Sequence, residues 1–218
     1  MGSDKELTNV SKATLERLPS YHRCLAEKQE AGEKTVSSTA IAEELHLSAV
    51  QVRKDLAAIS SAAGKPKLGF EVDELLDDIN RLLGYNNVTD AVLVGVGGLG
   101  SALAGYGGFK SYGLNIVAAF DTDPARIGKE VGGVRVYGAD VLSQTVREKK
   151  VRIGIIAVPK QAAQAAADAL VEGGVRAIWN FAPVHLALPA DIAVKNEDMA
   201  ASLAILSRRL AEILKNEK

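Results

Sequence analysis

A glycine-rich segment in the middle of the chain carries the clearest chemical signal. Its glycines follow the pattern G-x-G-x-x-G, after an apolar run that predicts a strand and before a stretch that predicts a helix. In such a turn the first glycine allows a tight bend, the second lets the backbone approach a pyrophosphate, and the third lets helix and strand pack closely. Unpaired N–H groups at the start of the helix favour a phosphate. We therefore predict a dinucleotide-binding turn formed by Gly95, Val96, Gly97, Gly98, Leu99 and Gly100.

An acidic residue stands where such a turn needs one. Asp121 ends the next predicted strand, 21 residues after Gly100, where a carboxylate can accept a hydrogen bond from a ribose 2′-hydroxyl. Thr122 and Asp123 follow, so no arginine comes directly afterwards to bind a 2′-phosphate. Turn and acid together predict NAD⁺ and NADH as ligands in preference to NADP(H). A glycine turn that serves only packing is the alternative.

Residues suited to catalysis are few. Tyr106 and Lys110 form Tyr-x-x-x-Lys, the pair used by short-chain dehydrogenases, but the sequence places them on the helix after the glycine turn, where they cannot reach a substrate across the sheet. His185 is a candidate general base, although a surface or hydrogen-bonded loop histidine is the plainer interpretation. No group of Cys and His residues has the spacing of a metal site. We expect no catalytic residues and no bound metal.

The first 83 residues have helical periodicity. Apolar residues recur every three or four positions from Ser11, again around Ile41 and again from Ser48. Residues 46–48 separate the second helix from the third, which is the spacing of a helix-turn-helix. Ser48 followed by Gln51 predicts a capping box at the start of the third helix. A turn at residues 64–69 could form a β-wing, and a final helix ends at Gly84.

The third helix is a candidate DNA-recognition helix. Residues 1–83 carry 11 basic and 14 acidic side chains, a net charge of −3 that does not favour DNA. The net charge of residues 48–67 is +3, however, and screening makes the attraction of phosphates local. We expect the helix to enter a major groove. The predicted DNA-binding residues are Ser48, Gln51, Arg53, Lys54, Lys65 and Lys67. A solvated helix on a domain that dimerises or docks a protein is the alternative.

Beyond Gly84, short apolar runs alternate with helical stretches. Four runs predict buried strands at residues 91–94, 116–120, 153–158 and 177–181, and residues 160–172 predict an alanine-rich helix. This alternation is typical of a doubly wound α/β fold. The last 20 residues predict another helix, whose apolar stripe must be buried against its own sheet or another chain. The stripe consists of Met199, Leu203, Leu206, Leu210 and Ile213.

The predicted fold class is therefore α/β with three segments. Residues 1–84 form a winged helix-turn-helix domain, residues 85–197 a Rossmann domain with a doubly wound parallel sheet, and residues 198–218 a C-terminal helix. The chain has 218 residues, of which 47% are hydrophobic and 24% charged, with a net charge of −1, so it has enough apolar material for a core.

Compartment and membrane contact are also constrained by the sequence. The single cysteine, Cys24, cannot form an intrachain disulfide, and no signal-peptide pattern opens the chain, so we expect the cytoplasm. The uncharged run from Ala91 to Phe109 has the length of a membrane span, but seven of its 19 residues are glycine. We therefore do not expect it to cross a membrane.

These motifs together resemble the bacterial Rex family of redox-sensing transcriptional repressors, over nearly the whole chain. The matching blocks, in family order, are Gln51-Val52-Arg53-Lys54-Asp55-Leu56, the Gly95–Gly100 turn, Ala118-Ala119-Phe120-Asp121-Thr122-Asp123-Pro124 with Ile127-Gly128, Ile156-Ala157-Val158-Pro159, and Asn180-Phe181-Ala182-Pro183. The resemblance implies a homodimer whose N-terminal domains bind palindromic double-stranded operator DNA. It also implies that the Rossmann domains bind NADH and NAD⁺, and that NADH releases the DNA.

The same resemblance implies a nicotinamide pocket and an exchanged helix. The pocket residues would be Tyr106, Pro159, Asn180, Phe181, Ala182, Pro183 and, from the second subunit, Asp198. The C-terminal helix would be exchanged between subunits, in agreement with its apolar stripe.

One segment departs from the family pattern. After the block that ends at Leu56, the family carries Ser-Tyr-Phe-Gly and a further Phe-Gly, whereas residues 57–64 contain no aromatic side chain. Two alternatives to a repressor stay open, and this departure bears on the first of them. One is a Rex-related NAD(H)-binding dimer with weakened or lost DNA binding. The other is a small NAD-dependent oxidoreductase or a CoA-binding α/β protein.

Overall fold

The chain divides into two units, Met1–Asn87 and Val88–Lys218, in a computed structural model. The structure describes residues 10–62, 64, 69–87 and 89–216. The second unit includes the C-terminal helix, so a separate third segment at residues 198–218 stays a prediction.

The first unit is a small helical domain with one two-stranded sheet. Its elements are α1 (Lys12–Glu30), β1 (Thr35–Val36), α2 (Ser38–Glu44), α3 (Ala49–Ile59), β2 (Phe70–Glu71) and α4 (Val72–Leu83). Strands β1 and β2 are antiparallel. All four helices contribute to one core, which includes the fully buried Leu18, Tyr21, Leu25, Ile41, Val52, Leu56, Leu75 and Ile79. The predicted helix-turn-helix is formed by α2 and α3.

Both predicted helix boundaries, the start of α3 after Ser48 and the end of α4 at Gly84, are confirmed. The hydroxyl of Ser11 accepts a hydrogen bond from the N–H of Thr14 at 3.1 Å and starts α1, and Gly84, at φ 73°, ends α4. Helix α3 begins after Ser48 as predicted, but the predicted capping box is wrong. Ser48 makes no side-chain cap bond, and the side chain of Gln51, which a capping box would direct back to the N–H of Ser48, donates to Asp55 at 2.9 Å.

The predicted wing is only partly visible. Gly69 lies at φ 83°, and a Cβ there would overlap the backbone carbonyl of Val36, so only glycine fits where the chain enters β2. Lys65 and Lys67, the predicted wing lysines, lie outside the described residues.

The second unit is built on a seven-stranded sheet. Its elements are β3 (Thr89–Val94), α5 (Gly98–Ala104), β4 (Leu114–Asp121), β5 (Glu130–Val131), β6 (Val134–Gly138), α6 (Leu142–Lys149), β7 (Ile153–Ile156), α7 (Lys160–Gly173), β8 (Ala177–Asn180), β9 (Ala193–Asn196) and α8 (Met199–Asn216). The strand order is β5-β6-β4-β3-β7-β8-β9, and every neighbouring pair is parallel except β5 and β6. The six parallel strands follow the doubly wound order, whose direction reverses between β3 and β7. The predicted fold class is confirmed.

Three strands of the second unit escaped prediction because they lack continuous apolar runs. Strand β5 has two residues, and β6 buries Val134 and Val136 while Arg135 between them is exposed. Strand β9 is exposed throughout Ala193–Asn196. These strands lie at or near the edges of the sheet, where the two faces of a strand are not both buried. Their sequences therefore need not be continuously apolar.

The C-terminal helix α8 is not buried against its own sheet. Every residue of its predicted apolar stripe is more than half exposed, from Met199 to Ile213. The sheet's own cores use α6 and α7 on one face and residues of α5 on the other. Of the two partners that the sequence allowed for this stripe, its own sheet does not cover it in this structure.

Candidate nucleotide-binding and DNA-binding sites

The glycine turn is shaped by close backbone packing. Gly95 has a φ of 91°, and a Cβ there would lie 2.6 Å from the carbonyl oxygen of Ala157. A Cβ at Gly100 would overlap the carbonyl of Gly95, so this glycine lets α5 approach the strand. Nothing lies within 4 Å of the Cβ position of Gly98, and Gly97 has only Arg126 at that distance. The first and last glycines are thus fixed by packing, and the middle two leave the turn open.

Asp121 faces this turn from the end of β4. Its Oδ2 accepts hydrogen bonds from the N–H of Val96 at 2.9 Å and from Nη1 of Arg126 at 3.0 Å, and its Oδ1 accepts from the N–H of Asp123 at 2.9 Å. Burial alone would raise the pKa of Asp121, but these three donors outweigh it and hold the pKa below its usual range. The carboxylate is therefore charged and fixed beside the glycine turn.

A cavity of about 670 Å³ opens beside the carboxyl ends of β3, β4 and β7. Four of the predicted cofactor residues line it, namely Gly95, Gly97, Asp121 and Pro159, and alanines of α7 form one wall. Its size suits a small-molecule ligand. Its position next to the reversal of strand order is where doubly wound sheets bind nucleotides.

Arg126 is a site residue that the sequence interpretation missed. It follows Asp121 by five residues, and a turn in which the N–H of Arg126 donates to the carbonyl of Asp123 brings the guanidinium back to the carboxylate. A basic residue shortly after a strand-ending acid is the signal that could have revealed it.

A row of aromatic rings lies along the other face of the sheet. The ring centroids of Tyr106 and Phe109 are 4.9 Å apart, those of Phe109 and Trp179 5.7 Å, and those of Trp179 and Phe181 4.8 Å. Tyr106 is 54% exposed at the end of this row and borders a second cleft of about 290 Å³. The row supplies apolar surface to this face, and two of its members, Tyr106 and Phe181, are predicted pocket residues.

Asn180 is fully buried and uses its side chain to hold the following loop. Its Nδ2 donates to the carbonyl of Val184 and to Oδ1 of Asn196, each at 2.8 Å, and its Oδ1 accepts from the N–H of Ala182 at 3.0 Å. Asn180 thereby fixes the Phe181–Pro183 segment, with Ala182 buried and Pro183 exposed. The carboxylate of Asp198 is exposed and accepts from the N–H of Ala201 at the start of α8.

On α3, the predicted DNA-binding residues are presented to solvent. Ser48, Gln51, Arg53 and Lys54 are exposed, while Val52 and Leu56 are buried in the core. The structure thus places the cationic side chains on the outer surface of the helix, as predicted.

A buried carboxylate attaches α3 to α1. Asp55 is only 2% exposed and accepts hydrogen bonds from Arg17 at 2.7 and 2.9 Å and from Tyr21 at 2.7 Å. Thr14 and Gln51 donate to it as well. Burial would raise the pKa of Asp55, but these donors lower it to about 2.

In the sequence, Asp55 is the one acid among the basic residues of positions 48–67 and a member of the block from Gln51 to Leu56. A signal for its structural role was present, since Asp55 falls on the buried stripe between Val52 and Leu56. An acid in such a position needs partners, and Arg17 and Tyr21 stand four residues apart on the facing helix.

The described residues contain no group of three or more His, Cys, Asp or Glu side chains that could hold a metal ion. The expectation that Tyr106 and Lys110 share one helix is wrong, because α5 ends at Ala104 and Lys110 lies in a separate 3-10 helix, Gly107–Tyr112. Among the described helices, none is long and apolar enough to cross a membrane.

Comparisons with known proteins agree on one family. The model described as "CoA binding domain" matches residues 86–184, and the one described as "Putative DNA-binding protein N-terminus" matches residues 9–57. The redox-sensing transcriptional repressor Rex of Treponema denticola is 45% identical over 88% of this chain and 91% of the relative. The Rex of Bacteroides thetaiotaomicron is 40% identical over 94% of this chain and 93% of the relative. The chain belongs to the Rex family.

Solved structures of a Rex-family repressor, RSP, have the same fold. RSP in complex with beta-NAD⁺ and operator DNA has a TM-score of 0.87 and 35% identity, covering 96% of each chain. RSP in complex with beta-NADH has a TM-score of 0.84 and 35% identity, covering 97% of this chain and 100% of RSP.

Proposed function

We propose that this protein is a transcriptional repressor that binds palindromic operator DNA and is released from it by NADH. The observation that carries the proposal is the presence of both sites in one Rex-family chain. A glycine turn and a fixed carboxylate border a nucleotide-sized cavity in the second unit. An exposed cationic surface on the second helix of a helix-turn-helix lies in the first unit.

The second unit binds the dinucleotide. The open glycine turn receives the pyrophosphate, and Asp121 accepts a hydrogen bond from the ribose through the remaining capacity of its carboxylate. Reduced nicotinamide is uncharged and oxidised nicotinamide is a cation, so an apolar pocket favours NADH. We assign Tyr106, Pro159, the Phe181–Pro183 segment and Asp198 of the partner subunit to that pocket. Asn180 acts through the loop that it holds.

The first unit binds DNA through α3. Arg53 and Lys54 contact bases and phosphates, since both side chains are exposed on the helix that follows the turn. Gln51 serves mainly to position the helix, because its amide donates to Asp55. Ser48, Lys65 and Lys67 complete the proposed DNA-binding set.

A homodimer connects the two activities. The exposed stripe of α8 supplies the apolar surface that a second copy covers when the C-terminal helices are exchanged. NADH releases DNA because it binds one arrangement of the dimer more tightly than the other. The protein responds to the redox state of the nicotinamide and does not transfer hydride. It acts in the cytoplasm, where the operator is.

A second candidate keeps the NAD(H) site and the dimer but weakens the DNA contacts. The observation that favours it is the sequence from Ala57 to Gly64, which begins in the last turn of α3 and lacks the aromatic residues of the family pattern. Operator binding is the property that separates the two candidates.

An electrophoretic mobility shift on a palindromic Rex-type duplex tests the proposal. The unmodified protein should shift the duplex at low salt without NADH, and NADH should abolish the shift. Arg53→Ala should abolish the shift, while Lys149→Ala, which removes one exposed cation from α6, should leave it unchanged. If the protein binds NADH but does not shift the duplex, the repressor proposal is contradicted and the second candidate takes its place.

A further inference from the structure

A buried acid of α4 holds the chain where it leaves the proposed recognition helix, α3. Asp78 is only 5% exposed, and its Oδ2 accepts hydrogen bonds from the N–H of Ser61 at 2.6 Å and from the Ser61 hydroxyl at 2.8 Å. Helix α3 ends at Ile59, so both bonds are made two residues beyond the end of the helix. Asp78 therefore fixes the exit of α3 against α4.

The ion pair that Asp78 makes with Arg81 is the weaker part of its surroundings. Its Oδ1 lies 3.3 Å from Nη1 of Arg81 on the same helix, and the Arg81 side chain is 64% exposed. An ion pair with so exposed a partner stabilises little. Since a buried carboxylate needs hydrogen-bond donors, the two short bonds from Ser61 are the contacts that compensate for the burial of this charge.

The chain just beyond Ser61 is held by further contacts. The hydroxyl of Ser60 donates to the carbonyl of Ala62 at 2.6 Å. A Cβ at Gly64 would lie 2.9 Å from Cζ of Phe70, so a glycine at this position lets the chain lie against that ring of β2. The described residues of the segment that departs from the family pattern are therefore held in place, although the segment contains no aromatic side chain.

Two buried acids thus set the orientation of α3. Asp55 attaches the helix to α1, and Asp78 fixes its exit against α4. A displacement at the exit would turn the helix, and the exposed Arg53 and Lys54 would move with it. Hydrogen bonds to base edges tolerate displacements of only about 0.5 Å, whereas the attraction of phosphates is far less sensitive to position. The exit of α3 should therefore affect sequence recognition more than general attraction to DNA.

We propose that Asp78 is a positioning residue for operator recognition. Through Ser61 it holds α3 in the orientation in which the exposed side chains of the helix meet the base edges. This inference rests on the proposed repressor function and adds the residue pair that keeps recognition intact in a chain without aromatic residues after α3. A carboxylate that served stability alone would affect every DNA sequence alike, because its loss would only lower the fraction of folded protein.

Anisotropy titration of the full-length protein with two fluorescent duplexes tests the proposal. One is a palindromic Rex-type duplex, and the other is a scrambled duplex of the same length and base composition. Asp78→Asn should lower affinity for the palindrome by about tenfold or more, the size of one lost base contact. It should change affinity for the scrambled duplex by less than about twofold, because phosphate attraction persists. The ratio of the two affinities is the readout, since a loss of folded protein cancels in it.

Two further variants separate positioning from charge and from folding. Asp77→Asn is the matched control, because it removes the same charge from the adjacent, exposed position of α4, and it should leave the ratio unchanged. Ser61→Ala removes only the hydroxyl of an exposed residue and should lower the ratio by about two- to threefold, the effect of one weakened contact. In the Asp78→Asn background the same change should have no further effect, because the hydroxyl acts through the carboxylate.

The outcomes distinguish this inference from the proposed function. If the unmodified protein binds NADH but does not prefer the palindrome, the repressor function fails and the inference fails with it. If it prefers the palindrome and Asp78→Asn leaves the ratio unchanged, the inference alone is overturned. Should hydrogen exchange in α1 and α3 show that Asp78→Asn unfolds the first unit, Ser61→Ala decides by itself, and an unchanged ratio in that variant overturns the inference.

Discussion

Replacing Asp55 by asparagine tests whether a buried carboxylate holds α3 to α1. The change keeps the side chain's shape, but it removes the charge that faces the guanidinium of Arg17 and the hydroxyl of Tyr21. It also places an NH₂ donor among groups that are themselves donors. We expect the free energy of unfolding of the first unit to fall, with loosened contact between the two helices.

The size of the effect follows from the pKa. In the folded protein the pKa of Asp55 is about 2, against an ordinary value of 3.8, which corresponds to about 2 kcal/mol of stabilisation at neutral pH. Leaving the Arg17 guanidinium without its carboxylate adds to the loss, since breaking a buried pair costs about 3–5 kcal/mol and Arg17 is 26% exposed. We expect a loss of about 2–4 kcal/mol.

The pH dependence has a definite sign. Because the folded pKa is lowered, the contribution of Asp55 is fully present above the ordinary pKa of 3.8 and is lost as the pH falls through about 2. The stability difference between the unmodified protein and Asp55→Asn should therefore be constant near neutral pH and should shrink below about pH 4.

Hydrogen exchange with urea is the suitable assay, because the only tryptophan, Trp179, lies in the second unit. Exchange of amides in α1 and α3 reports the unfolding free energy of the first unit directly. Asp73→Asn is the matched control, since that carboxylate is exposed and accepts one bond from Gln29; its effect should stay below about 0.5 kcal/mol. A stability loss of that size for Asp55→Asn, or one that does not change with pH, would refute the reasoning.

Three further outcomes are expected. Asp121→Ala should weaken NADH binding by about 1.5–3 kcal/mol, the value of a hydrogen bond to a charged group, as measured by calorimetry; unchanged affinity would contradict the ribose contact. Deletion of residues 199–218 should produce monomers or aggregates in light scattering, because the remaining surface loses the stripe of α8, and a clean dimer would refute the exchanged helix. Arg53→Ala and Lys54→Ala should abolish operator binding in anisotropy titrations and leave NADH affinity unchanged, since the two sites lie in different units; a parallel loss of NADH affinity would contradict this separation.

The sequence predicts well those parts of the fold that depend on residues close together in the chain. The glycine turn, the strand-ending Asp121 and the αL glycine at position 84 all follow from backbone geometry at known spacing. The four central strands are continuous apolar runs because both of their faces are buried. The marginal strands β5, β6 and β9 have no such run, so their positions depend on neighbours that the sequence does not specify.

The parts that escaped prediction depend on contacts between distant segments. Arg17 and Asp55 are 38 residues apart, and only the packing of α1 on α3 brings them together. Arg126 reaches Asp121 through a turn whose conformation sets the direction of its side chain. Asn180 is a predicted pocket residue, yet its polar atoms are engaged with Val184, Asn196 and Ala182. Residue type and spacing identified the regions, whereas the hydrogen-bond partners required the structure.

The central claim is that NADH, and not dinucleotide in general, removes this protein from operator DNA. Anisotropy of a fluorescent palindromic duplex should be followed at a constant total concentration of NADH plus NAD⁺ while their ratio is varied. The bound fraction should fall as the NADH fraction rises, and it should stay high when NAD⁺ alone is present at the same total. A bound fraction that is independent of the ratio, or a duplex that is never bound, would contradict the account.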